Sequence, residues 1–130
     1  MARCDLHIHS WHSGKTNHVT LLEPTDSCST PERIYRTAKA RGMDFVTITD
    51  HDTIDGCLAF LDAHPGATDF VVGEEVSTQL PASGLTVHLN VYGHSIAQHE
   101  ELQRRRDDAF AVASFCQAEG LWYAWNHPFY

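Results

Sequence analysis

The chain has 130 residues, 42% hydrophobic and 20% charged, with a formal net charge of −8. That is enough ordinary globular sequence for one domain with its own core, which excludes a disordered chain. With no apolar run near the ~18 residues a bilayer span needs, a membrane helix is excluded too. The acidic balance works against nucleic-acid backbones as partners.

Met1-Ala2-Arg3-Cys4-Asp5 runs straight into a strand-like segment, so no signal peptide is expected. Cys4, Cys28, Cys57 and Cys116 contain no CxxC pair and read as reduced thiols of a cytoplasmic protein. The ten histidines are the feature most in need of explanation.

Taken in order, the chain reads as strands alternating with helices. Arg3 to Ile8 is predicted as a first strand, and residues 10 to 29 as a long polar loop. Ser29-Thr30-Pro31-Glu32 offers a capping box and an early proline for a helix with Ile34, Tyr35 and Ala38 on its apolar face, stopping at Gly42. Phe45 to Ile48 is a second strand, Ile54 to Leu61 a short helix, and Phe70 to Val72 a third strand ending at Gly73-Glu74-Glu75. Leu85 to Tyr92 is a fourth strand, with Thr86, His88, Asn90 and Tyr92 on one face and Val87, Leu89 and Val91 on the other. A long helix from Gln98 to Glu119 stops at Gly120, and Leu121 to Trp125 is a fifth strand before Asn126-His127-Pro128. Strands separated by helices predict a parallel α/β fold, whose sites form where strands end.

Ligand-type residues recur along those strands. His7 and His9 share one strand face, so two imidazoles can chelate one ion. Asp50-His51-Asp52 puts three ionisable groups after an apolar strand, where a metal offsets the cost of burying them; a solvated turn with Asp52 or Thr53 capping the next helix is the alternative. Of Glu74-Glu75, Glu75 is taken as a carboxylate able to bridge two ions, although spacing alone does not separate the two. His88 lies within a strand and His127 at a strand end. There is no HExxH and no zinc-finger spacing, so the pattern is the dispersed kind used by barrel hydrolases.

Asp5-Leu6-His7-Ile8-His9-Ser10, Ile48-Thr49-Asp50-His51-Asp52-Thr53, Glu75-Val76-Ser77 and Asn126-His127-Pro128 resemble, in order, motifs of the PHP domain, named for polymerase and histidinol phosphatase; His88-Leu89-Asn90-Val91-Tyr92-Gly93 is similar to its further histidine motif. The resemblance implies the N-terminal part, residues 1–130, of a distorted (β/α)7 TIM-like barrel with a di- or trinuclear site of Mn, Fe or Zn ions. It implies that His7 and His9 hold one metal, that Glu75 bridges it to a second bound by His88 and His127, and that His51 holds a third. Many members place a further ligand at the positions of Gly14 and Lys15; here either His12, His18 or Asp26 substitutes or the third site is weak. The family's closing Asp-x-His motif is not reached by Tyr130, which leads to the expectation of a barrel cut short, completed by further chain or by self-association.

The function expected is hydrolysis of a small phosphorylated substrate, with a metal-activated water as nucleophile and no protein nucleophile. Asp5 and Asp52 would orient ligand imidazoles, and Lys15 would contact phosphate. The alternatives are a metal-dependent amidohydrolase and a non-catalytic metal-binding structural or regulatory module. A nuclease is disfavoured because Arg104-Arg105-Arg106 sits beside Asp107 and Asp108 and reads as a solvated face.

Overall fold

A computed structural model describes residues 1–14 and 26–126. Lys15, His18 and His127 lie outside the described residues. The strands are β1 (Cys4–Asp5), β2 (Phe45–Ile48), β3 (Phe70–Gln79), β4 (Thr86–Tyr92) and β5 (Trp122–Asn126), and the helices are α1 (Pro31–Ala40), α2 (Asp55–Ala63), α3 (Ile96–Arg105) and α4 (Ala109–Glu119). Together they form a mixed α/β fold with a curled, half-barrel sheet in the order β1-β2-β3-β4-β5. Among the described residues no helix is long and apolar enough to cross a membrane.

Local chemistry explains where the helices begin. At α1, Thr30 accepts the Arg33 N–H at 3.2 Å and Pro31 occupies the first turn. The single helix expected from Gln98 to Glu119 is two. Asp108 is extended at φ −138° and caps α4 by accepting from Phe110 N and Ala111 N, which breaks the run after Arg106. Gly120 stops α4 in the left-handed region at φ +67°.

The expectation of parallel strands holds only as far as β3. β1, β2 and β3 pair in parallel, whereas β4 is antiparallel to β3 and β5 antiparallel to β4. The reason is that no helix separates β3 from β4: a tight turn closes a hairpin there, Leu80 N donating to Leu85 O at 2.9 Å. β3 also runs past Gly73-Glu74-Glu75 to Gln79, so both glutamates lie within a strand and point to opposite faces.

Two apolar cores follow. Ile34, Ala38, Val46, Ile48, Cys57, Phe60 and Phe70 join α1 and α2 to the parallel part of the sheet. Val76, Leu89, Val91, Leu102, Val112 and Cys116 join α3 and α4 to the antiparallel part. Gly73 sits where the two parts meet. A Cβ there would lie 2.6 Å from Thr47 Oγ1 and 2.9 Å from the Ile48 carbonyl oxygen, so only glycine lets β3 approach β2 this closely.

Candidate metal centre

Register brings the predicted residues together. Beyond β2 the parallel ladder resumes at His51: Glu75 N donates to Asp50 O and Asp52 N to Glu75 O, both at 3.0 Å, setting His51 beside Glu75. In the hairpin Glu75 lies opposite Asn90 and Ser77 opposite His88, and β5 places Asn126 opposite His88. His7 and His9 lie past the end of β1, on an extended segment tied to Thr49 through Ile8, whose carbonyl accepts Thr49 N–H at 2.7 Å.

The result is a carboxylate, 1% exposed, ringed by imidazoles. Glu75 Oε2 lies 3.0 Å from His7 Nε2, 3.1 Å from His9 Nε2 and 3.4 Å from His51 Nε2. Glu75 Oε1 lies 3.3 Å from His88 Nδ1 and accepts from Asn126 Nδ2 at 2.9 Å. Asp26 Oδ2 lies 3.6 Å from His51 Nε2. Three groups of donors are thus close enough to share an ion: His7, His9 and Glu75; His9, Asp26 and His51; and His51, Glu75 and His88.

The donor set fits divalent cations. His7 Nε2 and His9 Nε2 are 3.1 Å apart, so with Glu75 Oε2 they form a nearly equilateral triangle. Neighbouring ligands of one ion with ~2.1 Å bonds stand about 3.0–3.4 Å apart, the same spacing. The tautomer of His9 agrees. Ser13 Oγ gives its only hydrogen to Asp26 Oδ2 at 2.9 Å and accepts the His51 backbone N–H at 3.1 Å, so its 3.1 Å contact with His9 Nδ1 must be donated by the ring. In the neutral ring this leaves the lone pair on Nε2, the atom facing Glu75.

Electrostatics favour the ligating form of Glu75 and His51 and oppose it at His9. Burial pushes the Glu75 carboxyl up, but the His9 and Asn126 hydrogen bonds and the charges of His51 and His7 outweigh it and hold the group ionised, well below the usual carboxylate range. Burial lowers His51, which favours the neutral, ligating form. Burial also pulls His9 down, but the Glu75 hydrogen bond and charge prevail and raise it.

The remaining predicted residues have other partners. Asp52 adopts φ +54°, accepts Ser77 N–H at 2.7 Å and pairs with Arg106 at 3.2 Å, so its carboxylate ties β3 to the end of α3 instead of orienting an imidazole. Arg106 therefore belongs to that tie, while Arg104 and Arg105 pair with Glu101. Asp5 Oδ1 accepts the His7 backbone N–H at 3.4 Å, not a ring. Asp50 is buried, accepting Ser10 N and Ser10 Oγ, each at 2.6 Å, and so anchors the loop after His9. His12 packs on Trp11 outside the cluster. Sequence reasoning missed Ser13 and Asn126; their signals were the four-residue spacing from His9 and the strand face shared with His88 across the ladder.

No family model matches the chain. An uncharacterized protein of Methanocaldococcus jannaschii is 38% identical over 78 residues, 58% of this chain and 44% of that protein. A solved amidohydrolase from Chromobacterium violaceum, with bound sulfate and no metal, superposes with a TM-score of 0.56 at 27% identity, over 81% of this chain and 34% of that one. A protein from Bifidobacterium adolescentis assigned as a metal-dependent phosphoesterase superposes with a TM-score of 0.54 at 18% identity, over 92% of this chain and 34% of that one. The chain thus covers less than half the length of each of these proteins, and it shares the α/β barrel-type fold of hydrolases with a His/Glu cluster able to bind metal.

Proposed function

We propose that this chain is the N-terminal, metal-binding part of a PHP-type phosphoester hydrolase, a distorted (β/α)7 barrel acting on a small phosphorylated substrate. The observation that carries the reading is Glu75: a buried carboxylate whose two oxygens face different imidazoles, His7, His9 and His51 on one side and His88 on the other. His7, His9 and Glu75 would hold one ion. Glu75 and His88, with His127, would hold a second, and His51 with Asp26 a third. When bound, Mn, Fe(II) or Zn supplies Lewis acidity toward a phosphoryl oxygen and lowers the pKa of water, so the chemistry needs no protein nucleophile.

The chain's own residues do the positioning. Ser13 fixes the His9 ring through Nδ1, and Asn126 holds Glu75 Oε1. A cavity of about 550 Å³ opens against His7, His9 and Asp26, and Arg33 and Arg41 line its wall. Guanidinium groups suit a phosphate's oxygens, and this volume suits a small ligand. Lys15, next in sequence to Gly14, remains a candidate phosphate contact. The sulfate in the Chromobacterium amidohydrolase structure is a tetrahedral anion of the same shape.

The amide-hydrolysing alternative is favoured by that protein's name, so the assays run in parallel. Purified chain is tested on p-nitrophenyl phosphate, bis-p-nitrophenyl phosphate and p-nitroanilide amides, before and after chelation and Mn²⁺ reloading. The proposal expects phosphoester turnover that vanishes on chelation and returns with Mn²⁺. Turnover that survives thorough stripping, or of amides alone, overturns it.

A further inference from the structure

The other face of β3 carries a second histidine–glutamate cluster. Glu74 points away from the Glu75 centre, onto the face that bears Val76 and Val91, beneath α3. Its side chain is 0% exposed. Oε1 lies 3.1 Å from His94 Nε2, while Oε2 lies 2.9 Å from His99 Nδ1 and accepts Gln103 Nε2 at 3.1 Å. His94 leaves the end of β4, and His99 and Gln103 are one turn apart on α3, so three elements converge on one carboxylate.

Hydrogen bonding leaves this cluster incomplete. The His94 side chain is 0% exposed, yet neither of its ring nitrogens has a hydrogen-bond partner, and Glu74 Oε1 has none either. The two atoms are at contact distance but not aligned on each other. Buried polar atoms left this way cost stability. Lone pairs that meet at a third point, as the ligands of one ion do, remove that cost. Glu74, His94 and His99 each offer one donor atom, and the three donors lie within 4.8 Å of one another.

We propose that Glu74, His94 and His99 form a second, separate site for one divalent transition-metal ion, Zn²⁺ by its two-nitrogen, one-oxygen donor set, which pins α3 to β3. Because Glu74 and His94 are sealed from solvent, this ion is structural and touches no substrate. Gln103 holds the remaining Glu74 oxygen.

The test counts ions on both faces of β3. The His7→Ala/His9→Ala/Glu75→Gln variant leaves none of the three donor groups of the Glu75 centre complete. After stripping and reloading with Zn²⁺, it retains one ion per chain, and reloading with Co²⁺ gives the visible absorption of a low-symmetry, nitrogen-ligated cobalt. Adding His99→Gln abolishes both signals. A folded triple variant, judged by circular dichroism, that binds neither Zn²⁺ nor Co²⁺ overturns the proposal. If the triple variant does not fold, the count is made on the otherwise intact chain. There His99→Gln holds one Zn²⁺ fewer per chain than the parent, and equal loading overturns the proposal.

Discussion

Two adjacent glutamates on β3 occupy opposite environments, and the contrast separates an open cluster from a sealed one. Glu75 faces imidazoles that keep part of their surface in solvent, with His9 22% and His88 31% exposed, beside an open cavity. Glu74 faces the apolar core and a His94 side chain with no exposure. Both carboxylates are buried, so both need a compensating charge. The pleat alone decides which compensation is open to solvent and which is locked under a helix.

The largest expected effect comes from breaking the open face by itself. Glu75→Gln keeps the side chain's shape but removes the shared charge. It is expected to cut Mn²⁺ affinity and phosphoester turnover by more than the ~10–100-fold typical of losing an outer partner. Circular dichroism should stay unchanged. A Glu75→Gln protein with parental turnover would erase the distinction between the two faces.

Ser13→Ala sharpens the comparison at smaller scale. It takes away the acceptor that fixes the His9 tautomer, together with the bonds to Asp26 and the His51 backbone, and removes no ligand itself. Metal titration should show a loss of about 10–100-fold in affinity. An unchanged affinity would mean that His9 is held by something else.

Gly73→Ala should disturb both faces together, because the added methyl meets Thr47 and the Ile48 carbonyl where the two halves of the sheet join. Overpacking of this kind costs about 1–3 kcal/mol. Denaturant unfolding reads that cost, and a neutral result would show that β3 and β2 can part without strain.

How far the sequence disclosed this arrangement depends on the residue. His7, His9, His51, Glu75 and His88 could be found because strand periodicity and ladder position place each near a strand end or on a strand face. Glu74 and Glu75 could not be told apart, since β3 reads as ending at Val72 when its neighbours are charged. Only the hairpin register shows the strand continuing to Gln79. The antiparallel hairpin was hidden for the same reason: with β3 read as ending at Val72, the stretch to Leu85 reads as a long connection and not as a tight turn. His94 and His99 went unread because they belong to a tertiary junction between β4 and α3 rather than to any periodic face. The break at Asp108 was visible only as a capping residue inside a run with strong helix formers on either side.

The smallest effect is expected far from both faces. Lys39 lies 2.7 Å from Asp69 and, with Tyr35, holds that carboxyl below its ordinary value. A depressed carboxylate stabilises the fold above its unfolded pKa, and the gain is lost as pH falls through the folded one. Lys39→Ala should therefore cost a little stability at neutral pH, little because the pair is exposed, and that difference from the parent should vanish as pH falls through the range where Asp69 titrates. A large loss at neutral pH would assign this exposed pair a role it does not have in this account.

The most direct measurement is elemental analysis of the stripped chain after reloading with Mn²⁺, beside Glu75→Gln treated identically. The parent is expected to take up divalent ions, and the variant to lose those of the Glu75 centre while remaining folded. Equal loading of the two proteins, or a parent that takes up none, would contradict this expectation.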